Sequence, residues 1–209
     1  MALVGGTALS LRAVARDVGV TVSALYRYYG SRDELLTELI TRAFRDQADH
    51  VIAAGSATDS PAAGLAAAMT AYRSWALSNP ASFALVYGTP VPGYSAPPEQ
   101  TVVQGARIGD YLVGLVSQAW DQGAIAQSAV EQRARTLTDE TAEGFRALAA
   151  RRDYSLPTPL LAATMDTFVR IHGFVVMEVF GQLRPLANDP SEWFTETLRA
   201  TLSDLGVRT

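Results

Sequence analysis

Residues 8–36 read ALSLRAVARDVGVTVSALYRYYGSRDELL, and their spacing decides the fold of the N-terminal part of the chain. Ser10 is placed to cap a short amphipathic helix, and Gly19 provides the left-handed turn conformation that ends it. Thr21 is predicted to cap a second short helix, which is expected to end at Gly30. Two such helices separated by a Gly-Val-Thr turn are typical of a helix-turn-helix, which predicts duplex DNA as the partner.

The rest of the chain also has helical periodicity. Ser31-Arg32-Asp33-Glu34 is a capping box, which predicts a long helix from Ser31 to about Ala54. Gly88–Pro98 is rich in proline and predicts an irregular connection. No alternating pattern long enough for a strand is present, so the sequence predicts an all-α fold. Further helices are predicted at 61–79, 80–87, 99–122, 130–152, 160–183 and about 190–205.

Composition excludes several classes of protein. The 209 residues are 48% apolar and 18% charged, as expected of a folded chain with a sizeable core. Neither a signal peptide nor an uncharged apolar run of about 18 residues is found, so we expect a cytoplasmic protein that does not enter the membrane. Because there is no cysteine, disulfides and thiolate chemistry are excluded.

Charge is unevenly distributed along the chain. Residues 1–45 contain six arginines and four acidic residues, a net charge of +2, whereas the whole chain carries −4. The remaining residues therefore carry −6. This asymmetry fits a protein that contacts DNA only at its N-terminal end, although a solvated helix face has a similar pattern.

The stretch from Leu11 to Leu36 resembles the TetR/AcrR family of transcriptional regulators in residue type and order. The C-terminal part is similar to the subgroup named for a Trp-His-Gly signature, through residues 83–94 and Ile171-His172-Gly173-Phe174, although Phe168 and Val169 stand near the place of the tryptophan. The resemblance implies an all-α homodimer. We expect a helix-turn-helix domain at residues 1–45 and an effector-binding and dimerisation domain at 46–209.

The resemblance also implies which residues contact the operator. Tyr26 and Tyr28 would contact phosphates or thymine methyl groups, and Arg27 would bind a guanine edge or a phosphate. Other side chains would hold the DNA backbone. The full set predicted to bind DNA is Ser10, Arg12, Thr21, Val22, Ser23, Tyr26, Arg27, Tyr28 and Arg32.

The N-terminus departs from the family pattern. Family members have a full first helix before the Gly-Gly turn, whereas only residues 1–4 precede Gly5-Gly6 here. Either the numbering begins at a late start codon, or the helix-turn-helix domain, which we call the reader, is weakened by the loss of part of its core. Two hypotheses follow: a ligand-responsive dimeric repressor bound to a palindromic operator, or a small-molecule binding or scaffold protein whose truncated reader no longer functions.

Aromatic residues of the C-terminal part suggest a pocket for a small, largely apolar effector, with ordinary core packing as the alternative. His172 needs a hydrogen-bond partner if it is buried, and Glu178 would either anchor a ligand or face solvent. The predicted pocket residues are Tyr72, Trp75, Phe83, Tyr87, Tyr111, Trp120, Phe168, His172 and Val176.

The last two helices are predicted to form a homodimer, because one recognition helix contacts too few bases for useful specificity. The apolar residues expected at this surface are Val169, Phe180, Leu183, Trp193, Phe194 and Leu198. The two histidines lack the spacing of a metal site, and no phosphate-binding loop or catalytic set is found. We therefore expect neither a metal, a cofactor nor an enzymatic activity.

Overall fold

The computed structural model describes residues 29–208, and in that part of the chain every regular element is helical. Its one isolated bridge joins Ile125 to Val207. The all-α prediction is confirmed. The eight helices within 29–208 are α1 (Arg32–Ser56), α2 (Pro61–Ser78), α3 (Pro80–Tyr87), α4 (Pro98–Asp121), α5 (Gln127–Thr136), α6 (Asp139–Arg152), α7 (Thr158–Val179) and α8 (Ser191–Asp204).

The long helix α1 begins at a modified capping box. The Ser31 hydroxyl accepts a hydrogen bond from the Glu34 backbone N–H at 3.1 Å, as the sequence predicts. The Glu34 carboxylate, however, accepts from the backbone N–H of Gly30 at 2.6 Å, one residue earlier than in a standard box. The same side chain therefore fixes both the start of the helix and the residue that leads into it.

Helix α1 buries one face for its whole length and packs against α2 and α4. Its buried residues recur at three- and four-residue intervals, which is the period of one helix face. They include Leu36, Ile40, Ala43, Gln47 and Val51. The helix is continuous across residue 45, where we place the boundary between the two domains, and that boundary stays a prediction.

The segment predicted as one helix at 130–152 is two helices, so that prediction is wrong. Helix α5 ends at Thr136, and α6 begins at Asp139 with the Thr138 hydroxyl accepting from the Thr141 backbone N–H at 3.3 Å. A threonine cap followed by Asp139 and Glu140 in the first turn is a good start signal, because acidic residues stabilise a helix N-terminus.

Helix α7 is the central helix of the C-terminal part and contacts α2, α4, α5, α6 and α8. It is long and apolar enough to cross a membrane, but 44% of its most apolar window is buried inside the protein, as in the core helix of a folded domain. The helix ends at Val179 rather than at Leu183, because Gly181 takes a positive φ of 75°.

Several residues expected at a dimer surface belong to the interior of the subunit. Leu183, Phe194 and Leu198 are buried in the main core, so this part of the prediction is wrong. They fill the space between α7, α8 and the turn that joins them. Val169 and Trp193 remain exposed, at 65% and 39% of their surface, and Phe180 is half-buried.

Candidate effector site

Five aromatic rings from three helices surround one another in the C-terminal part. The ring of His172 stacks on Phe168 at a centroid distance of 5.7 Å and an angle of 18°. The Tyr87 ring meets the same imidazole edge-on at 4.8 Å. The aromatic cluster, as we call it, consists of Tyr72 on α2, Phe83 and Tyr87 on α3, and Phe168 and His172 on α7.

Hydrogen bonds join the polar atoms of the aromatic cluster. The Tyr72 hydroxyl and His172 Nδ1 are 2.7 Å apart, so the histidine has the partner that its position requires. The Tyr87 hydroxyl donates to Gln47 Oε1 at 3.0 Å. These bonds connect α7 to α2, and α3 to α1.

Burial keeps these groups uncharged. It lowers the pKa of His172 below its usual value, because an imidazolium loses hydration inside the protein. Burial also raises the pKa of Tyr72, an effect strengthened by neighbouring Tyr87 and opposed by the side-chain amide of Gln47. The pKa of Tyr87 is raised by burial as well. The aromatic cluster is therefore neutral at pH 7.

Gln47 is the member of this site that the sequence analysis missed. Its side chain is 1% exposed, and its Nε2 has no hydrogen-bond partner within the described part of the chain. A buried polar atom without a partner is uncommon and costs free energy. The sequence does contain a sign of it, because Gln47 is a polar residue at the four-residue spacing of the buried apolar face of α1, between Ala43 and Val51.

The other predicted pocket residues lie around or away from the cluster. Trp75 is buried in the same core, and Val176 packs against that core. Tyr111 hydrogen-bonds Ser56 at 3.1 Å near the end of α1, and Trp120 lies near the end of α4. Among residues 29–208, neither Tyr111 nor Trp120 forms a ring pair with the cluster.

Glu178 neither faces solvent nor points to an open site, because it forms an ion pair with Arg73. The guanidinium donates to both carboxylate oxygens, at 2.7 and 2.6 Å, and also to the Ser191 hydroxyl at 3.1 Å. The same guanidinium lies 4.9 Å from the centre of the Phe194 ring. This group ties α2 to α7 and to the start of α8.

A second contact joins the region of the aromatic cluster to the beginning of α1. The irregular connection after α3 runs back along α1, where the Tyr94 hydroxyl lies 2.9 Å from Thr37 Oγ1. Phe44 of α1 meets the Tyr87 ring edge-on at 5.9 Å. Thus α3 and the connection contact α1 at Thr37, Phe44 and Gln47.

The predicted DNA-binding residues fall almost entirely outside the described part of the chain. Ser10, Arg12, Thr21, Val22, Ser23, Tyr26, Arg27 and Tyr28 precede residue 29, and only Arg32 is described. Arg32 is the first residue of α1 and is half-exposed.

A separate groove of about 430 Å³ opens on the surface formed by α5, α7 and α8. Ion pairs join Arg133 to Asp166 at 2.8 Å and Arg170 to Asp204 at 2.6 Å along its wall. Exposed Val169 also lines it. The groove lies apart from the aromatic cluster.

Comparison with known proteins agrees with this architecture. Residues 1–39 match the family described as bacterial regulatory proteins of the tetR family, and residues 65–201 match the tetracyclin repressor-like C-terminal domain. The HTH-type transcriptional regulator Rv1816 of Mycobacterium tuberculosis H37Rv is 36% identical over 211 residues, covering 96% of this chain and 85% of the relative. The regulator Mb1846 of Mycobacterium bovis matches equally well.

Solved structures share the fold. A protein described as a regulatory protein, SCO4313, is 32% identical and superposes with a TM-score of 0.72 over 96% of this chain and 88% of its own. A TetR family regulator from Marinobacter aquaeolei VT8 has a TM-score of 0.62 at 16% identity, over 98% and 87%, which shows the fold alone. The family and its named relatives are transcriptional regulators rather than enzymes. This chain belongs to the TetR family of DNA-binding transcriptional regulators.

Proposed function

We propose that this protein is an effector-responsive repressor that binds a palindromic operator as a homodimer. The observation that carries the proposal is the continuity of α1. One end of this helix begins at Arg32, beside the predicted reader, and its buried middle carries Gln47, which contacts the aromatic cluster. An effector bound among those rings would therefore act directly on the helix that leads to the DNA.

The geometry of α1 suggests how the response would work. Its 25 residues span roughly 37 Å at 1.5 Å per residue. A tilt of a few degrees at Gln47 therefore moves the Arg32 end by an ångström or more. In a dimer whose recognition helices are about 34–36 Å apart, such movements would shift the population towards a spacing that no longer fits the operator.

Dimerisation is proposed through α7 and α8. Val169, Gly173 and Met177 follow one another at four-residue intervals along α7, and a Cβ placed on Gly173 would meet nothing within 4 Å. Val169 and Met177 are both exposed. A face that combines apolar side chains with an open glycine would allow a second helix to approach closely.

Light scattering after size exclusion tests this interface. Val169→Glu should yield a monomer, because it places a carboxylate in the proposed contact. Val103→Glu, at an equally exposed valine on α4, is the matched control and should remain dimeric. A dimeric Val169→Glu protein would contradict the proposed surface.

DNA binding is tested by fluorescence anisotropy with the DNA upstream of the protein's own operon. Arg27→Ala should relax sequence preference, whereas Arg32→Ala should weaken binding to all sequences and reduce its salt dependence. Arg199→Ala, an exposed arginine on α8, serves as the control. Absence of sequence-specific binding by the full chain would favour the alternative of a small-molecule binding protein without a working reader.

We also propose the subgroup, the domain boundary and the location of the protein. The Trp-His-Gly subgroup rests on Ile171-His172-Gly173 and the 83–94 segment. The domain division at residues 45 and 46 rests on the charge difference and the helix-turn-helix pattern. A cytoplasmic location follows from the need to reach chromosomal DNA.

A further inference from the structure

Resting on the proposed homodimer, we infer that a second copy of this chain covers the groove formed by α5, α7 and α8. We further infer that Arg170 and Asp204 at the edge of this groove form a four-charge network with their counterparts in the second copy. Three features of the groove carry this inference: its position, its buried floor and the arrangement of its charges.

The groove adjoins the apolar face of α7 that is proposed to form the dimer. Val169 is the first residue of that face, and it also lines the groove. Arg170, the next residue in the chain, lines the groove from the same helix. A second copy that packs on Val169, Gly173 and Met177 therefore lies against the edge of the groove as well.

The floor of the groove consists of buried residues with few free polar hydrogens. Thr167, Thr201 and Leu205 line it and are all buried. The Thr167 hydroxyl donates to the Ala163 carbonyl oxygen at 2.9 Å, and the Thr201 hydroxyl donates to that of Thr197 at 2.7 Å. Both hydrogens are thus used within their own helices. The space of about 430 Å³ above this floor suits side chains of a neighbouring helix, because helices pack with the ridges of one in the grooves of the other.

The charges around the groove favour a second copy over a strongly charged partner. Arg133 pairs with Asp166 at 2.8 Å, and Arg170 pairs with Asp204 at 2.6 Å, so the groove has two charges of each sign. A strongly acidic or basic partner gains no net attraction from such a surface. A surface with both signs side by side is complementary to its own copy turned about a two-fold axis, where an arginine of each subunit meets an aspartate of the other.

The pair of Arg170 and Asp204 is exposed enough to join such a network. The two side chains are 49% and 65% exposed, so their contact contributes little to the stability of a single subunit. Within residues 29–208, Arg170 donates only from Nη1, to Asp204 Oδ2. Its other donors are therefore available to a carboxylate of the second copy. Covering the pair removes water and strengthens the contacts within the network.

Reversing the charges one residue at a time tests the network. In a homodimer, Arg170→Asp brings four carboxylates together, and Asp204→Arg brings four guanidinium groups together. Either variant alone should raise the dimer dissociation constant about a hundredfold in analytical ultracentrifugation, because like charges across an interface repel. An equimolar mixture of the two variants should dimerise again, because every acidic site of one subunit then faces a basic site of the other.

Arg107 and Asp49 provide a matched control. They form an ion pair with the same 2.6 Å distance, but between α4 and α1 and away from the groove. Arg107→Asp and Asp49→Arg should each remain dimeric. Circular dichroism checks the folding of every variant. If a charge reversal does not fold, Arg170→Gln and Asp204→Asn remove the charge alone; each should raise the dimer dissociation constant about fivefold and reduce its dependence on salt.

The outcomes separate the network from the proposed function. Dimeric Arg170→Asp and Asp204→Arg proteins, a mixture that stays monomeric, or neutral variants that dimerise like the wild type would each overturn the inference. Such results beside a dimeric wild type and a monomeric Val169→Glu protein would refute the network and leave the proposed homodimer standing. A monomeric wild type would refute the homodimer and the network together.

Discussion

Replacing Glu178 with leucine removes one partner of an ion pair that is largely withdrawn from water. The Arg73 and Glu178 side chains are 15% and 9% exposed, and two charge-assisted hydrogen bonds of 2.7 and 2.6 Å join them. Glu178→Leu leaves the guanidinium with the Ser191 hydroxyl and the Phe194 ring as its remaining contacts. The variant should therefore be strongly destabilised.

The expected magnitude follows from the cost of an uncompensated buried charge. Breaking a buried pair by removing one partner costs about 3–5 kcal/mol. The residual exposure of Arg73 allows some hydration, so we expect the lower end, about 3 kcal/mol. For a chain of 150–250 residues each kcal/mol lowers the Tm by about 2–4 °C, which corresponds to roughly 6–12 °C here.

A double-mutant cycle is the assay. Urea unfolding at a fixed protein concentration compares the wild type with Glu178→Leu, Arg73→Met and the double variant. A fixed concentration is needed because dimerisation contributes to apparent stability. The double variant should recover part of the loss, because it removes both charges and retains apolar volume. Losses that simply add, or a Glu178→Leu cost below about 1 kcal/mol, would refute the reasoning.

Three more predictions concern packing, pH and the connection after α3. Gly55→Ala places a Cβ 2.5 Å from the Tyr111 hydroxyl and 3.1 Å from the Gly64 carbonyl oxygen, and should cost about 1–3 kcal/mol in urea unfolding despite the better helix propensity of alanine. In a Tyr111→Leu background, which removes the hydroxyl but not the carbonyl contact, the same change should cost less. The pKa of His172 is lowered in the folded state, so the neutral imidazole contributes fully to stability above the unfolded pKa near 6.5. As the pH falls from there towards the folded pKa, the free energy of unfolding should drop by up to about 1.4 kcal/mol per pH unit. An equal drop in His172→Phe would contradict this. Tyr94→Phe removes the hydrogen bond to Thr37 and should cost about 1 kcal/mol, with faster hydrogen exchange at residues 88–97, and unchanged exchange there would argue against it.

Helices α2 and α3, which are bounded by proline, glycine or a hydroxyl cap, were predicted closely. Helix α3 begins at Pro80 and ends before Gly88 as expected, and α2 begins at Pro61 after the Ser60 cap. These boundaries depend on local backbone chemistry, which is visible in sequence. The break between α5 and α6 was missed because the strong cap at Thr138 lies within a longer helical pattern, without a glycine or proline to mark it.

The candidate site was only partly predictable, because its decisive contacts join distant parts of the chain. The aromatic members of the cluster are among the residues suggested for a pocket, but Gln47 meets Tyr87 from 40 residues away and Arg73 meets Glu178 from 105 residues away. Local periodicity carries no information about such partners. For the same reason, the sequence predicts both Phe194 and Val169 at the dimer surface, although Phe194 is buried and Val169 is exposed. Apolar character alone does not distinguish a residue of the core from one on the surface.

The unbroken course of α1 has a consequence for building chimeric regulators. A cut after residue 45 would divide a single helix and leave Gln47, Ala48 and Val51 to be matched by an unrelated segment. Neither part of the divided α1 would then keep its packing position against α2 and α4. A module for exchange should therefore extend through Ser56, so that a foreign helix-turn-helix domain is joined with the whole of α1, including the residues that pack against α2 and α4.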